Sequence, residues 1–391
     1  MALHPELVAA IQSGDAALAA RLLHEHPAGK FDLDRPLPGA AFGATPLLVA
    51  VGHGNRELID VLLGAGASPD ARSEWWAGGF GVLDSPSGLE DFLIERGATV
   101  DVHAAARLGR LDRLGELLDR DPGLVHARGG DGQTPLHFAR TPEIAEFLLD
   151  RGAGIDTVDI DHESTPAQYM LRDRRDVARC LVARGCRTDL LMASALGDLE
   201  LVRRHLDAAP ESVRSTVSLE HFPKRDPHAG GTIYIWTLGW FQTAHLLARE
   251  NTPVLQLLME RSPASWKLAM MCELGDEAAA RQLAAHTAPA PEDSYRLPAA
   301  AHNNQTAAVR LLLEAGWPVA ARGQSGTTAL HWAAWHGNVE AVRILLEYGA
   351  PRDVADDTYR GIPRNWAAHG ADSSWHRAGG NYAEVAALLA G

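Results

Sequence analysis

Residues 326–350 read "GTTALHWAAWHGNVEAVRILLEYGA", and this one stretch spells out a complete supersecondary unit. Gly326 marks a turn, and Thr328 stands before a helix start, where its hydroxyl oxygen supplies a cap for amides that have no intrahelical acceptor. After a second break at Gly337, Val342, Leu345 and Leu346 recur at helical spacing on one face, leaving Arg343 and Glu347 for water. Gly349 follows, at the position where a residue without a Cβ takes up the left-handed helix cap. The unit reads as turn, helix, helix, turn.

The same grammar returns along the chain. An apolar pair ahead of a Gly turn occurs as "LLGAGAS" (62–68), "LIERGAT" (93–99), "LLDRGAG" (148–154), "LVARGCR" (181–187) and "LLEAGWP" (312–318). A turn followed by a helix start occurs as "GATPLL" (43–48), "GQTPLH" (132–137) and "STPAQ" (164–168), with Pro at a first-turn position where a missing N–H costs nothing. Gly152 to Gly185 and Gly316 to Gly349 are both 33 residues apart. Shortened units lack this start and end at Pro: "SGDAALAARLLHEHP" from Ser13, "LGRLDRLGELLDRDP" from Leu108, "LGDLELVRRHLDAAP" from Leu196 and "LGDEAAARQLAAHTAP" from Leu274.

These units resemble the ankyrin repeat, whose pattern is G-x-T-P-L-H-x-A-A-x-x-G followed by V-x-x-L-L-x-x-G-A. Gly326 to Ala350 departs from it only in Ala329 for Pro, and the resemblance, of a degenerate bacterial type, extends in weaker form over nearly the whole chain. It implies an all-α fold: a single solenoid over residues 1–391, of eleven or twelve helix pairs. Such units bury their apolar stripes only by stacking on neighbours. The resemblance also implies a protein-binding role and a structural, hydrogen-bonding role for His137 and His331.

Three segments break the period, 73–88, 211–241 and 370–381, and are expected as inserted loops. They hold Trp75, Trp76, Trp236, Trp240 and Trp375, half of the ten tryptophans, so they are expected to fold against the stack. The net charge of −14 disfavours a nucleic-acid partner. The sequence lacks a signal-like start and a membrane-length apolar run. Cys180, Cys186 and Cys272 form no CxxC pair, which fits a reducing, cytoplasmic setting.

His331 and His336, five residues apart, are rotated by about 140° on a helix and cannot share an ion. Trp332, Trp335 and His336 share one face, while Ala333 and Ala334 on other faces let neighbouring helices come close. In the equivalent slots stand Phe138, Tyr169, His302, Trp366 and His369, giving a line of rings along a concave groove, joined by Trp240 and Trp375 from the loops. Two functions remain open: a groove for a protein partner, or a small-molecule pocket roofed by the loops, with His336, His369 or His376 as general acid or base. Asp159, Asp161, His162 and Glu163 precede a helix start and read as capping groups of a solvated turn, with an acid/base or metal cluster as the alternative that carboxylates and imidazole allow. No metal site and no cofactor are assigned.

Overall fold

A computed structural model describes residues 3–25 and 31–390. Among them every regular element is helical, with 23 α-helices and eight 3-10 turns, and the extended backbone is limited to two isolated bridges. Most helices pair as first and second members, but Glu90–Glu95 follows Arg56–Gly64 with no α-helical first member, and Pro142–Asp150 has the 3-10 turn Pro135–Phe138 in that place. The Pro27 end of the first shortened unit lies outside the described residues.

The signals that define the units in sequence cap their helices. Thr45 accepts the Leu48 N–H at 3.3 Å, Asn338 accepts that of Ala341 at 3.0 Å, and Asp101, Asp189 and Asp198 do the same for their own helices. Gly349 has the left-handed φ of +81° expected after the second helix. In the helix Val339–Glu347 the buried set is Ala341, Val342, Ile344 and Leu345, with Leu346 only half-buried, so the apolar face sits slightly round from its expected place. Arg343 and Glu347 are exposed as expected.

Contacts group the chain into two compact units. The first comprises residues 1–188 with 222–238, and the second residues 189–221 with 239–391. The segment 211–241, expected as one loop, is thus divided between them. In each unit first helices pack on first helices and second on second: helix Pro5–Ser13 on Pro46–Gly52, and helix Arg296–His302 on Ala329–Trp335, which packs in turn on Pro363–Ser373. The last of these helices runs four residues into the segment 370–381 expected as a loop.

The Trp-bearing segments are ordered by the turns they cover. The Glu74 N–H donates to the Gly43 carbonyl, and the Asp131 N–H donates to that of Gly78. Trp75 packs edge-on against Phe42 at 4.9 Å. Residues 222–238 bury Tyr234, and their Arg225 and Asp226 amides donate to the Glu163 carboxylate. In the second unit Arg296 is fully buried, pairs with Glu273 and donates to the Phe241 carbonyl at 3.2 Å, which fixes the chain beside Trp240. Removing one partner of such a buried pair costs about 3–5 kcal/mol, because the other charge is left uncompensated.

His137 and His331 share one hydrogen-bond pattern. In each, Nδ1 accepts a threonine N–H, from Thr134 at 3.1 Å and from Thr328 at 3.0 Å. The other ring nitrogen must then carry the proton, and it donates to a carbonyl of the next repeat's turn, Ser164 at 3.2 Å and Gly361 at 3.1 Å. Replacing His331 by Ala leaves the Thr328 amide unpaired and takes one of two donors from the Gly361 carbonyl, which keeps the Asp356 N–H, a loss of about 1–3 kcal/mol. A thermal or urea melt should show that destabilisation, with the second unit losing cooperativity first. A melt unchanged from wild type contradicts the structural role.

Burial holds His137 and His245 down to about 3. Their folded pKa lies below the unfolded value of about 6.5, so on acidification the unfolded chain takes up protons that the folded chain refuses. Stability should therefore fall as the pH drops from about 6.5 toward about 3, by up to about 1.4 kcal/mol per pH unit for each of these histidines. Urea midpoints across this range should show the loss, and His137→Gln should flatten the slope. An equal slope in the variant counts against this origin.

Candidate functional site

The second unit gathers most of the residues that sequence singles out. Helix Ala329–Trp335 presents Trp332 and Trp335, helix Pro363–Ser373 presents Trp366 and His369, and Trp375 follows in the turn after it. Their rings pack edge-on or tilted: Trp332 against Trp366 at 4.9 Å, Trp335 against Trp366 at 5.8 Å, and Trp335 against Trp375 at 6.1 Å. They wall a half-open cleft of about 720 Å³, completed by Tyr359, Arg360, Gly361 and Asn365. The His369 ring lies 5.3 Å from Trp335 at its edge.

The polar groups of the cleft are biased toward donors. Arg360 brings a guanidinium and Asn365 an amide, and the buried Trp335 Nε1 has no acceptor among the described residues. Trp332 and Trp366 instead spend their N–H groups on Thr327 Oγ1 at 3.1 Å and on Asp356 Oδ2 at 3.0 Å, which fixes their rings. Asp356 is fully buried and also accepts the amides of Thr358, Tyr359 and Gly361. Although burial works against it, these donations hold its carboxyl below the usual carboxylate range.

His336 is a strut. It is buried, with Nε2 2.8 Å from the His302 carbonyl and Nδ1 3.0 Å from Ser374 Oγ. Burial lowers it to about 4. With both nitrogens engaged inside the protein, it holds the turn that carries Trp375, and its place among the acid–base candidates is withdrawn. His302 is likewise buried among Trp332, Trp375, Phe241 and Trp240 and lowered by burial to about 4, so it backs the cleft without lining it. His376 packs edge-on against the His336 ring at 4.8 Å and is exposed.

Two expected groove residues lie in the other unit. Phe138 is a core residue against His103, and Tyr169 is half-buried between His137 and His162. Neither joins the tryptophan cluster. Asp159 accepts the amides of His162 and Ser164, both at 2.7 Å, and Glu163 accepts those of Arg225 and Asp226. The expected acidic caps thus satisfy the turn and the inserted segment, while helix Pro166–Tyr169 is capped by Thr165 and Gln168. Sequence reasoning missed Asp356, Tyr359 and Arg360. Arg360 has a φ of +56°, a turn position that only a Gly or Asn would have advertised.

Comparison with known proteins agrees with this architecture. A family model described as ankyrin repeats in three copies matches residues 244–356, and one for the single ankyrin repeat matches 42–74 and 131–160. The E3 ubiquitin-protein ligase KEG of Arabidopsis thaliana is 24% identical over 272 residues, 64% of this chain and 17% of that protein. The palmitoyltransferase Hip14 of Drosophila melanogaster is 34% identical over 83 residues, 21% of this chain and 13% of that protein. The chain therefore spans less than a fifth of either curated relative. Among solved structures, a chain of a predatory endopeptidase–immunity protein complex from Bdellovibrio bacteriovorus matches with a TM-score of 0.29 and 22% identity, over 46% of this chain and 98% of that one. The ankyrin repeat domain of Bcl-3 matches with a TM-score of 0.21 and 19% identity, over 100% of both chains. With repeat units recognised by family models in both compact units, and with the helix pairs and capping that the pattern requires, the chain is an ankyrin-repeat protein.

Proposed function

We propose that this chain is a cytoplasmic binding protein that holds a protein partner by seating one bulky apolar side chain in the tryptophan cleft of the second unit. The observation that carries the reading is the cleft itself. Four indoles, two of them pinned by their own N–H bonds, leave about 720 Å³ open to solvent beside an unpaired Trp335 N–H. Trp and Arg in a desolvated pocket are the residue types that dominate binding energy at protein interfaces. The donors Arg360 and Asn365 suit a partner group with an acceptor or a carboxylate beside the apolar anchor.

A binding role fits the histidines better than catalysis does, because His302 and His336 are neutral struts and only His369 reaches the cleft. Family membership supports a protein partner. The compartment rests on Cys180, Cys186 and Cys272, all unpaired. Among the described residues no helix is long and apolar enough to cross a membrane. A second reading, a small molecule in the same cleft, draws on its volume, which lies within the roughly 300–1,000 Å³ of small-ligand pockets.

Peptide display on the full chain carrying 5-fluorotryptophan tests both. Selected peptides should share a bulky apolar residue, shift the fluorine signals of Trp332, Trp335, Trp366 and Trp375, and bind at least about tenfold more weakly to Trp375→Ala. Trp375 is 56% exposed, so this variant should keep its melting temperature. Peptides that bind Trp375→Ala and Trp366→Ala as tightly as wild type overturn the proposal. Cleft signals that respond to free indole carboxylates and to no peptide favour the small-molecule reading.

A further inference from the structure

We propose that the turns of the first unit form a site for one divalent transition cation of the zinc class, ligated by Asp131, Asp161 and His162. His162 Nε2 stands 3.6 Å from Asp161 Oδ2 and 3.9 Å from Asp131 Oδ2, and one donor atom from each residue lies within 4.8 Å of the other two. The two N···O distances are too long for hydrogen bonds. They are close to the roughly 3.4 Å that separates two donors held at about 2.1 Å around a tetrahedral ion.

The imidazole is already set for ligation. Its Nδ1 lies 2.9 Å from the Gly231 carbonyl, to which it donates, so the lone pair on Nε2 faces the two carboxylates. A ligating histidine is oriented in this way by a backbone acceptor on its far nitrogen. Asp131 Oδ1 is buried and makes no hydrogen bond of normal geometry among the described residues, although the Trp75 side chain lies near enough to act on this carboxyl as a donor. The three side chains are only 8–13% exposed. Two carboxylates and a neutral imidazole balance a double positive charge, and the nitrogen donor selects a zinc-like ion over calcium or magnesium.

The repeat does not need these three residues for its own fold, because the second unit builds the same turn without them. Asp159 and Asp356 occupy matching positions: each N–H donates at 3.0 Å to the carbonyl five residues on, of Ser164 and of Gly361, and each carboxylate gathers the intervening amides. The matching histidines, His137 and His331, reach those same two carbonyls. Likewise the Ile160 N–H donates to Asp131 and the Asp357 N–H to Ser325. In this register Ser325, Thr358 and Tyr359 stand where the first unit has Asp131, Asp161 and His162. Ser325 even shares the left-handed backbone, with φ of +58° against +55°. The turn therefore folds with no carboxylate at these places, and two acidic groups side by side are a cost to it. Because the Gly230 amide donates to Asp161 and Gly231 orients His162, a bound ion would clasp residues 222–238 onto both turns.

The test uses the full chain stripped by a chelator. Zn2+ titration by calorimetry should show one equivalent at this site, Co2+ should give d–d absorption from a mixed nitrogen and oxygen set, and Zn2+ should raise the melting temperature. The turn-swap variant Asp131→Ser, Asp161→Thr, His162→Tyr should lose that equivalent and all stabilisation by Zn2+, while its metal-free melt stays cooperative and falls only by the lost Gly230 and Gly231 contacts. If it does not fold, His162→Gln should weaken binding by at least about tenfold. Wild type that binds no ion, or a variant that binds as many ions as tightly, overturns the proposal.

Discussion

A neutral imidazole bridging two repeats is the contact on which both candidate sites depend. His137 and His331 accept from the threonine that starts their own helix and donate to the turn of the next unit, so one ring sets the register between neighbours. The ring must stay uncharged, since a proton on Nδ1 would oppose the threonine N–H, and burial enforces this. The acceptor carbonyls belong to Ser164 and Gly361. The first closes the turn that carries Asp161 and His162, and the second closes the turn that carries Tyr359 and Arg360 into the cleft. The contact that stacks the repeats also places their chemistry.

Two kinds of residue therefore share each turn. Threonine, proline, the bridging histidine and the aspartate at 159 or 356 satisfy backbone groups and leave little room for change. The positions between them serve the surroundings of each turn and differ between the two units. At one of them the first unit uses Glu163 to hold an inserted segment, and the second uses Arg360 to edge the cleft; both are left-handed, with φ of +49° and +56°. Chemistry can be changed at such positions without loss of the stack, because no inter-repeat hydrogen bond passes through their side chains.

This division explains what sequence discloses. Helix starts, glycine caps and apolar pairs are local and periodic, so residues 326–350 were sufficient to read the unit and its repetition. The tryptophan cluster was also legible, because Trp332, Trp335, Trp366 and His369 follow from the face they occupy in their helices. What failed was the extension of that face to every unit. Phe138 sits in a 3-10 turn, Pro135–Phe138, where the missing inter-helix residues draw its ring into the core. His336 looked free because its partners, the His302 carbonyl and Ser374, come from the neighbouring units. Arg360 and Asp131 were passed over because nothing in a one-dimensional reading marks a charged side chain held at positive φ.

The burial of His336 also bears on how the cleft works. An indole on a mobile loop must lose its freedom when a partner arrives, and that entropy is subtracted from binding. Here the turn that carries Trp375 is tied by the His336–Ser374 contact, and Trp366 is tied through Asp356. Much of the ordering cost is therefore met when the repeat folds. Arg360, exposed at the edge of the cleft, is the donor that the proposed partner would meet. For the role proposed here, rigid walls beside an exposed guanidinium would favour a partner that presents a fixed ring and an acceptor together over one that offers apolar bulk alone, because only the first also meets Arg360.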